Sequence, residues 1–262
     1  QDVQGETFDY PEEFFKERIH NIRRPRPDDF QIKQAVEKIK NSKKPIIISG
    51  GGVFYSDAMD ELGNFAIKHN IPVTQTVMGY STMKKDHSHF VGPIGGLGGK
   101  AANNLAKETD LAICIGTKLA DFTTGSWANF ENPEFKLVSI NIARHDANKH
   151  LAEAVIGDAK VTLTELSNAI GDWKSSDSWH KKSQVELKSW NEYVDKESGP
   201  TNQELPSYAH AVGAIYRNSD PTDIAVTAAG GLVGEVVQVW RPKELNTHET
   251  EWGFSCMSYE IS

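Results

Sequence analysis

Between Pro45 and Ile170, short apolar runs alternate with segments of helical spacing, and this alternation constrains the fold more than any other feature of the chain. "PIIIS" (45–49), "IPVTQT" (71–76), "LAICIG" (111–116), "FKLVSINI" (135–142) and "AVIG" (154–157) read as strands. "DAMDELGNFAIKHN" (57–70) places Met59, Leu62, Phe65 and Ala66 on one helical face; "KAANNLAKETD" (100–110) and "DAKVTLTELSNAIG" (158–171) read as helices too. A helix over "DDFQIKQAVEKIKNSKK" (28–44) precedes them, with Ile32, Ala35, Val36 and Ile39 at helical spacing, an Asp28 or Asp29 cap and a stop before Pro45. Strands alternating with helices imply βαβ units. The expected fold is therefore α/β: a mostly parallel sheet of about six strands with helices on both faces, over residues 28–172.

The flanks differ. Residues 1–27 are polar and irregular, "RRPRP" (23–27) reads as an extended, solvated linker, and the segment is expected to lead in from a further domain upstream. Residues 173–205 carry Trp173, Trp179 and Trp190 in a charged helical stretch that reads as a connecting helix with aromatic anchors, broken by "GPTNQELP". Residues 206–262 begin a second α/β unit: helix "SYAHAVGAIYRNS", strand "DIAVTAAGG", helix "GEVVQVWR". It reads as cut off before it forms a sheet of its own. The chain opens on Gln1 and closes on "SCMSYEIS", which reads as a piece of something longer.

Charge narrows the partners. Lys and Arg number 28 against 36 Asp and Glu, a net charge of −8 without a basic run, so nucleic acid and anionic membrane are not expected partners. Nor does any apolar run approach the roughly 20 residues of a membrane helix. Of the two cysteines, Cys114 reads as a core residue, and nothing suggests a disulfide framework, so a cytoplasmic location is expected.

Three glycine loops adjoin inferred strand ends: "SGGGVFYSDA" with Gly50, Gly51 and Gly52, "GPIGGLGGKAAN" (92–103), and "IGTKLADFTTGSW" (115–127) with Gly116 and Thr117. At the carboxyl ends of parallel strands such loops can line one ligand crevice. The first lacks G-x-G-x-x-G spacing and a G-K-[ST] ending, since Tyr55, Ser56 and Asp57 stand there, and no acidic residue ends the next strand. Two readings stay open, a structural turn and a nucleotide loop, and the turn is the better supported. His87 and His89 in "KKDHSHF" read as solvated or capping histidines rather than a metal pair, and Ser-His-Asp, HExxH and CxxC patterns are absent.

The order of these blocks resembles the middle domain of thiamine-diphosphate-dependent enzymes of the acetohydroxyacid synthase type. "AVTAAGGLVGEVVQVWRP" and "EWGFSCMSYEIS" resemble the start of that family's diphosphate-binding domain. "YPEEFFKERIHNIRRP", "DFTTGS" and the blocks just quoted resemble most the branch that hydrolytically cleaves a carbon–carbon bond of a cyclic 1,2-diketone. The resemblance implies thiamine diphosphate and Mg²⁺ as cofactors and a homodimer or homotetramer of the full-length enzyme. It implies Gly230, Gly231 and Leu232 at the diphosphate end. It further implies the Ser255 carbonyl, where the family often has Gly, and Met257 beneath the aminopyrimidine. The catalytic glutamate and the G-D-G metal motif are implied to lie outside the chain, so the fragment alone is expected to be inactive. FAD or ADP occurs in some middle domains of the family; here Gly50, Gly51, Gly52, Gly116 and Thr117 would line that crevice, and weak or no flavin binding is expected. Two other readings use the same residues: an acetolactate-synthase-like or sulfoacetaldehyde-acetyltransferase-like enzyme, and a non-catalytic nucleotide-binding module.

Overall fold

A computed structural model describes residues 2–251 and 256–261. Six strands form one sheet: β1 Pro45–Ser49, β2 Val73–Gln75, β3 Phe90–Pro93, β4 Leu111–Ile115, β5 Lys136–Asn141 and β6 Glu153–Ile156. Their order is β3-β2-β1-β4-β5-β6, with every neighbouring pair parallel. This is the doubly wound order, whose direction of winding reverses between β1 and β4.

Alternation along each strand divides the core into two layers. Ile47 of β1 packs with Ile39, Leu62, Phe65 and Leu166 on one face, while Ile46 and Ile48 pack with Leu105, Leu119 and Trp179 on the other. In β4, Ile113 and Ile115 face the first layer, Ala112 and Cys114 the second. Burial pushes the Cys114 thiol well above its ordinary range, which leaves it an inert core residue. Helices Asp29–Asn41, Met59–His69 and Ala159–Ile170 cover one face; Lys100–Glu108 and Asp177–Glu197 cover the other. The Asp28 and Asp158 carboxylates cap their helices by accepting backbone N–H bonds.

Three features correct the sequence reading. The "RRPRP" segment is not simply solvated: Arg24 pairs with Asp158 at 3.0 Å, Arg26 with Glu165 at 2.5 Å, and the Pro25 carbonyl accepts from Asp158 N at 2.9 Å. Its prolines present the arginines to the Ala159–Ile170 helix. The second unit also forms a small sheet: β7, Ala225–Thr227, pairs in parallel with β8, His248–Thr250.

His89 is buried, not solvated. Its Nε2 bonds Asn70 Oδ1 at 3.1 Å, its Nδ1 bonds Ser88 Oγ at 2.9 Å, and its ring stacks on His180 at 4.2 Å. The Asn70 amide nitrogen donates to Ser175 O and Asp177 Oδ1, so its oxygen is left to accept, and His89 carries its proton on Nε2. Burial, then the charges of His180 and His87, hold His89 down to about 4, and burial alone holds His248 down to about 4. The unfolded chain, with histidines near 6.5, therefore takes up these protons first on acidification. The stability these residues contribute is complete above pH about 6.5 and is lost as pH falls toward about 4. Urea midpoints are expected to drop between pH 7.5 and pH 5, and His89→Asn to shrink that drop; an equal drop in the variant would contradict this role for the stack.

Candidate functional site

The winding reversal places the loops after β1 and β4 side by side. There the backbone closes on itself. Gly50 N donates to Ile115 O at 2.8 Å, Gly52 N to Gly116 O at 2.9 Å, and Gly116 N to Ile140 O at 2.8 Å. A Cβ on Gly50 would lie 2.7 Å from Thr117 Cβ, and one on Gly52 would lie 2.5 Å from Gly116 Cα. Gly116 itself has φ +62°, open to glycine at little cost. The structure thus brings Gly50, Gly52, Gly116 and Thr117 together, with the N–H groups of all three glycines donating to protein carbonyls. The Gly51–Tyr55 helix is a single short turn.

The third loop joins the same rim. Gly95 N donates to Asn103 Oδ1 at 2.9 Å, Gly96 N donates to Phe122 O at 2.7 Å, and a Cβ on Gly95 would lie 2.0 Å from Phe122 O. Backbone packing between loops therefore explains Gly50, Gly52, Gly95 and Gly116. Thr117 is 8% exposed, with its carbonyl accepting from Asn141 Nδ2 at 3.1 Å.

The second unit presents an exposed helix start. Gly230 has φ +140°, a region essentially reserved for glycine, and precedes the Gly231–Val239 helix without a side-chain cap. Among the described residues, nothing beyond its own chain neighbours and helix backbone lies within 4 Å of a Cβ built on Gly230 or Gly231. Leu232 is exposed beside it. Behind it, Thr227 and Thr250 stand opposite one another at the carboxyl ends of β7 and β8, and both hydroxyls are buried without a hydrogen-bond partner among the described residues. Open helix N–H groups, glycines and unpartnered hydroxyls fit an oxyanion such as a diphosphate. Met257 is exposed in this structure, and Ser255 lies outside the described residues. Among the described residues no group of His, Cys, Asp or Glu side chains is arranged to hold a metal ion. No helix among them is long and apolar enough to cross a membrane.

A family model described as thiamine pyrophosphate enzyme, central domain, matches residues 32–166, which spans all six strands of the large sheet. The chain belongs to the thiamine pyrophosphate enzyme family. Over its whole length it is 37% identical to a 3D-(3,5/4)-trihydroxycyclohexane-1,2-dione hydrolase of Clostridium perfringens, covering 45% of that protein. It is 38% identical, again over its whole length, to proteins of the same name from Clostridium tetani and Bacillus anthracis, covering 44% of each. The chain thus spans under half the length of these relatives. Within the thiamine pyrophosphate enzyme family, the matched central domain accounts for the α/β sheet, while the likeness to these hydrolases extends past it through the Gly230 loop.

What sequence reasoning missed is the partnership of the loops. Nothing local marks Gly116 as the contact of Gly52, or Thr250 as the partner of Thr227. Repeated glycine beside a strand end was the available signal, and it does not distinguish a ligand from a neighbouring backbone.

Proposed function

We propose that this chain is the middle domain, and the beginning of the diphosphate-binding domain, of a thiamine-diphosphate-dependent hydrolase that opens the ring of a trihydroxycyclohexane-1,2-dione. The observation that carries this reading is the whole-chain identity to hydrolases of that name, which includes the Gly230 loop beyond the matched central domain. Residues 1–27 are read as the lead-in from a pyrimidine-binding domain, 28–172 as the middle domain, 173–205 as the connection and 206–262 as the diphosphate end. The full-length protein is read as a cytoplasmic homodimer or homotetramer.

When bound, thiamine diphosphate would supply a nucleophilic carbon and an electron sink for cleavage of a carbon–carbon bond beside a carbonyl. The residues of this chain bind and orient. The backbone N–H groups at Gly230 and Gly231 would hold the diphosphate, with the helix dipole favouring its charge. Thr227 and Thr250 supply hydroxyls behind that loop. Leu232 and Met257 would offer apolar surface to the organic part of the cofactor, and Ser255, which lies outside the described residues, would hold its amino group through its carbonyl. Mg²⁺, which would neutralise the diphosphate, is assigned to ligands outside the described residues.

Gly230→Val in the full-length protein tests the assignment. A β-branched residue is strongly strained at φ +140°. The dissociation constant for thiamine diphosphate, measured by calorimetric titration with Mg²⁺, is expected to rise by more than about tenfold. Unchanged affinity would remove the Gly230 loop from the cofactor site.

A further inference from the structure

In doubly wound sheets the carboxyl rim at the winding reversal is where ligands ordinarily sit. Here the loops of that rim are closed upon one another, and protein packs beside them. Val77, from the turn after β2, and Leu97, from the glycine loop after β3, form one apolar cluster with Val233 and Val237 of the Gly231–Val239 helix. Val77, Val233 and Val237 are all buried, Val237 completely. A Cβ on Gly234 would lie 3.3 Å from Leu97 Cδ2, so the helix approaches the rim closely along this line.

The support beneath Val77 is rigid. Thr76 Oγ1 accepts from Gly79 N at 3.1 Å, and Thr82 Oγ1 donates to Gly79 O at 2.7 Å. A Cβ on Gly79 would fall 2.3 Å from Ser49 O at the end of β1. The segment that continues from this turn also grips the second unit. Lys85 N donates to Pro242 O at 2.8 Å, Lys85 Nζ bonds Tyr216 OH at 2.8 Å, Lys84 pairs with Glu244 at 3.1 Å, and Asn246 N donates to Ser81 O at 3.3 Å. The helix is thus held by Val77 and Leu97, and the chain that follows it by Ser81, Lys84 and Lys85, while its first turn, at Gly231 and Leu232, stays exposed.

We propose that the rim of the middle-domain sheet is a socket for the diphosphate-side helix, and that Val77 and Leu97 are positioning residues for the N–H groups at Gly230 and Gly231. This rests on the thiamine diphosphate reading above. Side chains that touch no cofactor atom set the angle at which the helix start meets the phosphate, so displacement at the socket is felt in binding.

The test uses the full-length protein and three variants, Leu97→Ala, Val77→Ala and Leu97→Met, with two readouts. One is the dissociation constant and KM for thiamine diphosphate together with kcat at saturating cofactor. The other is amide hydrogen exchange over residues 231–237 without cofactor. Truncation at either residue is expected to raise the dissociation constant about tenfold, leave kcat within about twofold at saturation, and speed exchange in that helix, while Leu97→Met restores all three. Wild-type affinity and unchanged exchange in both alanine variants would overturn the socket, as would an equal loss in Leu97→Met. Failure of the wild-type protein to bind thiamine diphosphate would instead refute the cofactor reading, and exchange in the alanine variants would still decide whether the rim seats the helix.

Discussion

Gly116→Ala is expected to lower the unfolding free energy of the chain by about 2–5 kcal/mol, the sum of two effects. The residue sits at φ +62°, where a Cβ costs about 1–2 kcal/mol. That Cβ would also lie 2.5 Å from Gly52 Cα, a backbone atom that cannot rotate away, and forced overpacking typically costs about 1–3 kcal/mol more. Gly171→Ala provides the contrast. It has φ +69° and ψ −131° but no neighbour among the described residues within 4 Å of its Cβ, so only the conformational cost of about 1–3 kcal/mol applies. Urea unfolding followed by circular dichroism reads both. Equal losses at the two positions would mean that the contact between the β1 and β4 loops is loose, and the closed rim would have to be abandoned.

Trp179→Ala is expected to cost about 3–5 kcal/mol, the range for removing a large aromatic from a core. Trp179 is 3% exposed, packs with Ile46, Ile48 and Leu105, and donates its indole N–H to Pro45 O at 2.9 Å. It ties the Asp177–Glu197 helix to the start of β1. Trp179→Phe keeps a ring but strips the Pro45 carbonyl of its side-chain donor, and a smaller loss of about 1–3 kcal/mol is expected. A loss under about 1 kcal/mol in the alanine variant, measured by the same unfolding, would show that this helix is not an integral layer of the domain.

The central strands are legible in the sequence because they are buried on both faces and read as unbroken apolar runs, as "PIIIS" and "LAICI" do. β3 escapes the same reading because "FVGP" carries a glycine and a proline, which a strand at the edge of the sheet tolerates. β8 escapes because "HET" is short and polar and is a strand only through its pairing with β7. Side-chain fates set by distant partners were likewise hidden. The arginines of "RRPRP" look solvated until Asp158 and Glu165 are folded beside them, and His89 looks like a loop histidine until the helix bearing His180 is laid over it. For the candidate site, glycine at 230 and 231 was visible, but the unpartnered hydroxyls of Thr227 and Thr250 stand opposite one another only because β7 meets β8.

The central claim is that this chain serves a thiamine-diphosphate-dependent hydrolase acting on a cyclic dione. The most direct measurement is consumption of 3D-(3,5/4)-trihydroxycyclohexane-1,2-dione by the full-length protein, with the product identified by mass spectrometry and pyruvate run in parallel as the competing substrate. The account predicts a ring-opened carboxylic acid formed only when thiamine diphosphate and Mg²⁺ are both present, and little reaction with pyruvate. Ring opening that persists after both cofactors are removed, or turnover of pyruvate with the dione left untouched, would contradict it.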